Sequence, residues 1–159
     1  MIELFPNTDV INFGDLPPAV KALLQQGVIA YRGDRERADD LFRQALATAP
    51  GALPVYFCLY KIHTYQGNLA MAQAAAEGGL QEAAAQAGWD PDWRRWTPNP
   101  LLPEGAGRFA LYTLKALAFI NLRQNLPAAA REKLAALRIL DPAGAVGWPV
   151  VEALAEGIG

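Results

Sequence analysis

Residues 33–50 read GDRERADDLFRQALATAP, and residues 125–142 read NLPAAAREKLAALRILDP. Aligned end to end, the two stretches place Gly33 against Asn125, Ala38 against Ala130, Phe42 against Leu134, Ala45 against Leu137 and Pro50 against Pro142. Between them, residues 67–72 read GNLAMA, with Gly67 lying 34 residues after Gly33 and Ala72 lying 34 residues after Ala38. A fixed period of this length is the mark of stacked helix pairs. Gly67 to Asn125 spans 58 residues, one period of 34 with 24 more inserted. The physics of the pattern is that of a tight turn followed by a close-packed helix. A turn between antiparallel helices favours a residue that accepts positive φ, which Gly does freely and Asn tolerates. Small Ala at 38, 72 and 130 lets helix backbones approach, and Pro50 and Pro142 end the second helices.

The pattern resembles the tetratricopeptide repeat family, over about 110 of the 159 residues. In that register the repeats lie near 19–52, 53–87 and 111–144, and a partial fourth places Trp148 where the family favours Trp. The resemblance implies an all-α chain: a short right-handed superhelix of antiparallel helix pairs, forming a single domain over 1–159. Departures from the family pattern are Gln26 and Tyr60 at the early small position, and Ile29, His63 and Asn121 at the usual Tyr of the first helix. Apolar periodicity predicts helices near 18–31, 35–48, 54–65, 69–87, 107–123, 127–139 and 147–156, with residues 1–16 as an irregular N-terminal arm. Pro17-Pro18 opens the first helix, since Pro fits a first turn.

The insert reads GWDPDWRRWTPNPLLPEGA over 88–106 and holds three of the four Trp, four Pro and two adjacent Arg. It is too rich in Pro for a regular helix beyond one turn near 91–96, opened by Asp90 as cap and Pro91 as first helical residue. Two readings stand side by side. Trp93, Arg94, Arg95 and Trp96 form a partner-binding loop, because Trp and Arg carry much of the energy of protein interfaces. Alternatively, Trp89 and Trp93 plug the gap that the insertion opens and the Arg side chains are merely solvated.

In the tetratricopeptide family the first helix of each pair lines a concave groove. Carried over, its groove positions are Leu23, Gly27 and Tyr31, then Phe57, Lys61 and Tyr65, then Lys115, Phe119 and Arg123. Aromatic rings mixed with Lys and Arg suit a peptide or protein surface with acidic groups. Phe57 and Phe119 are equally well read as core, whereas Tyr31, Lys61 and Arg123 are expected to face solvent.

Composition removes whole classes of chemistry. The chain contains no Ser, so no serine-nucleophile mechanism applies. One Cys (Cys58) and one His (His63) make neither an internal disulfide nor a Cys/His zinc site. There is no Gly-Lys pair and hence no P-loop, and no GxGxxG. A net charge of -2 lacks the basic surplus of a nucleic-acid binder. No apolar run reaches the roughly 18–20 residues of a membrane span. The opening MIELFP lacks the basic and apolar regions of a signal peptide, which points to the cytoplasm.

Cys58 and His63, five residues apart, point about 140° apart on a helix. His63 is therefore read as a core side chain and Cys58 as a small buried hydrophobe, not as a nucleophilic pair. Asp39-Asp40 reads as a solvated helix-start face. An enzyme built on Asp90, Asp92 and His63 would require these to converge, and the expectation is no enzyme, no cofactor and no metal.

Three longer strings, LPVYFCLYKIHTYQGNLAMAQ (53–73), GWDPDWRRW (88–96) and GRFALYTLKALAFINLR (107–123), are similar to small tetratricopeptide-type proteins associated with bacterial nitrogen-fixation clusters. That resemblance implies an accessory factor docking on nitrogenase or its assembly proteins during maturation or repair. With one Cys it would not itself hold an iron–sulfur cluster. The alternative is a chaperone- or secretion-type adaptor that takes a client peptide in the groove.

Overall fold

A computed structural model describes residues 16–158, and these form seven α-helices with no strand among the described residues. They are α1 (Pro18–Tyr31), α2 (Arg35–Thr48), α3 (Leu53–Gln66), α4 (Leu69–Ala87), α5 (Gly105–Arg123), α6 (Pro127–Leu140) and α7 (Trp148–Ile158), with one 3-10 turn at Trp93–Arg95. The arm expected over 1–16 lies outside the described residues except for Leu16. Contacts group the chain into two compact units, one ending at Ala75 and the other beginning at Ala76.

In the first unit α1 opens on Pro18, and Lys21 N–H donates to the Pro17 carbonyl at 3.0 Å. The three-residue turn to α2 makes the helices antiparallel neighbours. Asp34 caps α2 by accepting from Arg37 N–H at 3.1 Å. Along α2 the side chains of Ala38, Phe42 and Ala45 are completely inaccessible, which is one helical stripe at i, i+4 and i+7. The Phe42 ring lies against the backbone of α1 at Gly27, where a Cβ would come within 2.3 Å of Phe42 Cε1. Gly27 therefore does not line a groove: the largest ring of α2 needs the space a side chain would fill. The close approach falls one residue beyond Gln26, where the repeat pattern locates it. α3 packs on α2 and is buried on nearly every side, through Val55, Phe57, Cys58, Leu59, Tyr60, Ile62 and His63.

The second unit repeats this logic. α5 is buried through Phe109, Leu111, Leu114, Leu117 and Ile120. α6 presents Ala130, Leu134 and Leu137 as its buried stripe, the spacing seen in α2. α7 closes on α6 and α5 through Trp148, Val151 and Ala155. The turn into α7 is built on Asp141, a buried carboxylate accepting from Ala145 N–H at 3.0 Å and Val146 N–H at 2.9 Å. The Asp141 carbonyl accepts from Trp148 Nε1 at 2.7 Å. Satisfying these buried donors is what lets the chain turn inside the fold.

The turn residues divide. Gly67 (φ 80°) and Asn125 (φ 66°) are left-handed, as their place in the repeat predicts. After each, an N–H reaches back five residues: Asn68 to the His63 carbonyl at 2.9 Å and Leu126 to the Asn121 carbonyl at 2.8 Å. Gly33 differs, being absent from the positive-φ positions. Its turn stays right-handed through Arg32 (φ -70°), with Gly33 and Asp34 N–H both donating to the Ala30 carbonyl. A Cβ on either glycine would meet nothing within 4 Å, so backbone conformation alone decides the effect of a methyl group. Gly33→Ala is expected to stabilise by about 0.4–1 kcal/mol. Gly67→Ala is expected to destabilise by about 1–2 kcal/mol. Urea unfolding of the two variants checks the opposite signs, and equal effects would contradict the assignment.

Candidate functional site

The insert starts with two nested Asp turns. Asp90 Oδ1 accepts from Asp92 N–H at 2.8 Å, and Asp92 Oδ1 accepts from Arg94 N–H at 3.0 Å. The short helical turn expected near 91–96 is therefore present but confined to Trp93–Arg95, with Asp92 rather than Asp90 as its cap. Gln81 Nε2 of α4 donates to the Pro91 carbonyl at 3.0 Å.

Each tryptophan of the insert is tied down. Trp93 is only 8% exposed, with the Arg94 guanidinium 4.4 Å and Lys133 Nζ 5.8 Å from its ring centre. Lys133 in turn donates to Asn121 Oδ1 at 2.7 Å, and burial pulls its amine below the usual lysine range. Arg94 Nε donates to Glu132 Oε1 at 2.7 Å, which holds that carboxyl below its ordinary value. Both groups of this pair lie in water, so the pair fixes position more than it adds stability. Trp89 lies on α5 at Gly107, where a Cβ would sit 3.0 Å from the indole and 2.9 Å from Pro103. Trp96 meets Trp89 edge to face, ring centres 5.0 Å apart, and its Nε1 donates to the Asp90 carbonyl at 2.7 Å.

The insert is thus a strap fastened to α5 and α6. Trp93 and Arg94, expected on the partner-facing side, are engaged within the unit, because an indole of that size fills the space beside Lys133 and Glu132 lies within reach of the guanidinium. Arg95 is exposed, and its guanidinium has no partner among the described residues. Trp96, the next residue, is half-buried. Of the insert residues in the expected set only Trp93 is withdrawn from solvent, while Arg94 (side chain 55% exposed) and Arg95 stand open.

The groove positions divide between the two units. In the first, Tyr31 ends α1 half-buried under the Arg35 guanidinium, 5.4 Å from its ring centre. Lys61 Nζ lies 5.5 Å from the Phe57 ring centre and 5.6 Å from that of Tyr65. Phe57 is core and stacks edge to face on Tyr60, while Tyr65 is 52% exposed. In the second, Lys115 Nζ lies over Tyr112 at 3.8 Å and the Arg123 guanidinium over Phe119 at 6.0 Å.

His63 is buried, as expected of a core side chain, but it has an orienting partner. Its Nε2 lies 2.7 Å from Asp39 Oδ1, and the Asn68 amide lies 3.5 Å from its Nδ1. Asp39 is therefore not a merely solvated helix-start residue. Burial works against its charge, and hydrogen bonds from Arg43 (2.8 Å) and His63 more than offset this, leaving the carboxyl below its ordinary value. The stabilisation this implies is complete above the usual carboxylate range and is lost as pH falls through the lowered folded value. Cys58 is buried and its thiol is pushed up to about 12, so it stays protonated at neutral pH and is no nucleophile.

No family model, curated protein or solved structure matches the chain.

Among the described residues no group of three or more His, Cys, Asp or Glu side chains is placed to hold a metal ion. No helix among them is long and apolar enough to cross a membrane. Of the polar residues that make these contacts, Asp39, Lys133 and Glu132 carry no motif of their own. Their partners lie 24 residues away for Asp39 and 38 for Glu132, and such pairings follow from the fold rather than from any local pattern. Asp141 alone had a local cue, a carboxylate directly before Pro142 at a helix end.

Proposed function

We propose that the chain is a non-enzymatic, cytoplasmic adaptor that binds another protein, and that Arg95 and Trp96 are the contact its insert offers. The observation that carries this reading is the fastening of the strap. Trp89, Trp93 and Arg94 hold the insert on α5 and α6, and an exposed cation without an ion-pair partner among the described residues, Arg95, precedes the half-buried Trp96. Such a surface loses little entropy on binding, and Arg and Trp are the residues from which interface hot spots are made. The helices are read as pairs of a right-handed tetratricopeptide-type superhelix. Matching buried stripes, Ala38/Phe42/Ala45 and Ala130/Leu134/Leu137, and left-handed turns at Gly67 and Asn125 support that reading.

The string resemblance to tetratricopeptide-type proteins of nitrogen-fixation clusters makes nitrogenase components and their assembly proteins the first partners to test. The experiment is titration of the purified full chain against each component by calorimetry, for wild type, Arg95→Ala and Trp96→Ala. Binding that weakens by roughly thirtyfold or more in either variant is the expected result, the scale of an interface hot spot. Binding that survives both variants removes the insert as the contact. No binding to any component removes the nitrogenase reading.

A second reading is a chaperone- or secretion-type adaptor that holds a client peptide on its first helices, with Tyr31, Lys61 and Tyr65 as the candidate contacts of the first unit and Lys115 and Arg123 those of the second. It is favoured by Lys61, a half-buried cation with no ion pair among the described residues. Lys61→Glu and Arg123→Glu would then abolish client binding while Arg95→Ala would not.

A further inference from the structure

His63 is the one histidine of the chain, and its buried ring meets a different partner at each nitrogen. Nε2 lies 2.7 Å from Asp39 Oδ1 on α2, and Nδ1 lies 3.5 Å from the Asn68 amide nitrogen at the turn into α4. A carboxylate beside Nε2 and an NH2 group beside Nδ1 select the neutral tautomer with its proton on Nε2 and its lone pair on Nδ1. The same Asn68 nitrogen donates to Gln66 Oε1 at 3.2 Å. Gln66 Nε2 is left buried with no hydrogen-bond partner among the described residues. A buried donor with nothing to donate to is rare in native structures and calls for a reason.

A proton added at Nδ1 reverses the demand. An imidazolium donates from both nitrogens, so Nδ1 then needs an acceptor where the Asn68 NH2 group stands. Asn68 supplies one by turning its amide half round, which brings Oδ1 beside Nδ1. Gln66 Oε1 would then face an oxygen, so the Gln66 amide turns as well and Nε2 donates to Asn68 Oδ1. The orphaned donor gains its acceptor, and the unpaired buried atom becomes a carbonyl oxygen, which proteins leave unpaired more often than an N–H. The charges that face the ring come from α2: Asp39, whose other oxygen accepts from Arg43 at 2.8 Å. On α3, Lys61 lies about 200° round the helix and Cys58 about 140° round it. The Lys61 amine lies over Phe57 and Tyr65, and Cys58 stays a thiol. The turn into α4 presents the uncharged Asn68 amide, and among the described residues nothing else bonds to the ring.

We propose that His63, Asn68 and Gln66 form a proton-operated switch, in which protonation of the ring turns both amides and changes what the turn between α3 and α4 shows to solvent. Asn68 is exposed, so its amide joins the buried ring to the surface. With a neutral ring the unengaged atom of this side chain is its carbonyl oxygen, an acceptor. With the imidazolium it is the NH2 group, a donor. The turn thus offers opposite hydrogen-bonding character on the two sides of the ring's titration. This inference is independent of the contact assigned to Arg95 and Trp96.

The test is a titration of the full chain by NMR over about pH 5–8, the range in which a histidine changes charge. A single histidine gives one set of ring signals. At the alkaline end the ring nitrogens are expected to report a proton on Nε2 and a lone pair on Nδ1. As the ring takes up its second proton, the side-chain NH2 signals of Asn68 and Gln66 are expected to shift with the midpoint of the ring. A neutral ring protonated on Nδ1 overturns the proposal. So does a ring that keeps one charge state across this range in the folded chain, and so do amides that stay still while the ring titrates. Asn68→Ala, a change at an exposed position, is expected to leave the ring titrating and to abolish the Gln66 response. A Gln66 response that survives in this variant is the ring's charge felt through space, and it overturns the link through Asn68.

Discussion

Phe42→Ala is expected to lower the unfolding free energy by about 3–5 kcal/mol, the cost of removing a fully buried aromatic ring from a packed core. The ring has no accessible surface, and it is the side chain around which α1 and α2 meet. The site has little freedom to collapse after truncation, because the flanking stripe residues are alanines, 38 and 45, with no length to extend into the void. The reciprocal change fails for the opposite reason. Gly27→Ala drives a methyl group to within 2.3 Å of Phe42 Cε1, so the ring or the helix must move. Overpacking of this kind costs about 1–3 kcal/mol. The two positions share one space, so their effects are not additive. Gly27→Ala combined with Phe42→Leu is expected to be more stable than the sum of the two single losses. Denaturant unfolding of the four proteins measures the coupling. Additive losses would mean that Phe42 and Gly27 do not meet.

The sequence carries the positions of the helices because local rules set them. Pro18, Asp34, Pro50, Gly67 and Asn125 each act on their own few residues, and the expected ends of the helices differ from the observed ones by two residues at most. Gly33 shows where such a rule gives way. Two turns of the same repeat can be closed by different hydrogen bonds, and Asp34, by capping α2, supplies a right-handed closure that needs no positive φ. The stripe Ala38/Phe42/Ala45 was legible as a core face. What it packs against was not, because Gly27 stands in a helix interior where glycine has no local signature.

The candidate site was legible in its composition and not in its division of labour. Three tryptophans and two arginines among four prolines mark the insert as special. Which arginine is engaged depends on Glu132, 38 residues away, and neighbours 94 and 95 are indistinguishable until the strap meets α6. The same holds for His63. A lone histidine on an apolar helix reads as core, and it is, but its orienting carboxylate comes from α2 and was read as a surface residue. Side chains joined only by tertiary structure leave no periodic trace.

Trp93→Ala is expected to cost about 3 kcal/mol or more, the lower part of the range for a large buried aromatic, since this residue keeps 8% of its surface exposed. The loss differs from that at Phe42 because it undoes a surface strap as well as a core contact. Lys133 would lose a ring face, and Arg94 would keep its bond to Glu132 but lose the indole that stacks beneath it. The strap would then be held mainly at its Trp89–Trp96 end, and the bonds after Arg94 and Arg95 would open to trypsin. Arg95→Ala provides the contrast. Its side chain is exposed and makes no hydrogen bond or ion pair among the described residues, so the variant is expected to match wild type in thermal midpoint and to keep the strap closed, while losing partner binding. Limited trypsin digestion and thermal unfolding of both variants separate fastening from display. If Trp93→Ala leaves both the cleavage rate after Arg94 and the thermal midpoint at wild-type values, the tryptophan does not fasten the insert. A destabilised Arg95→Ala would place that guanidinium inside the fold, and the contact assigned to it would fall with the strap.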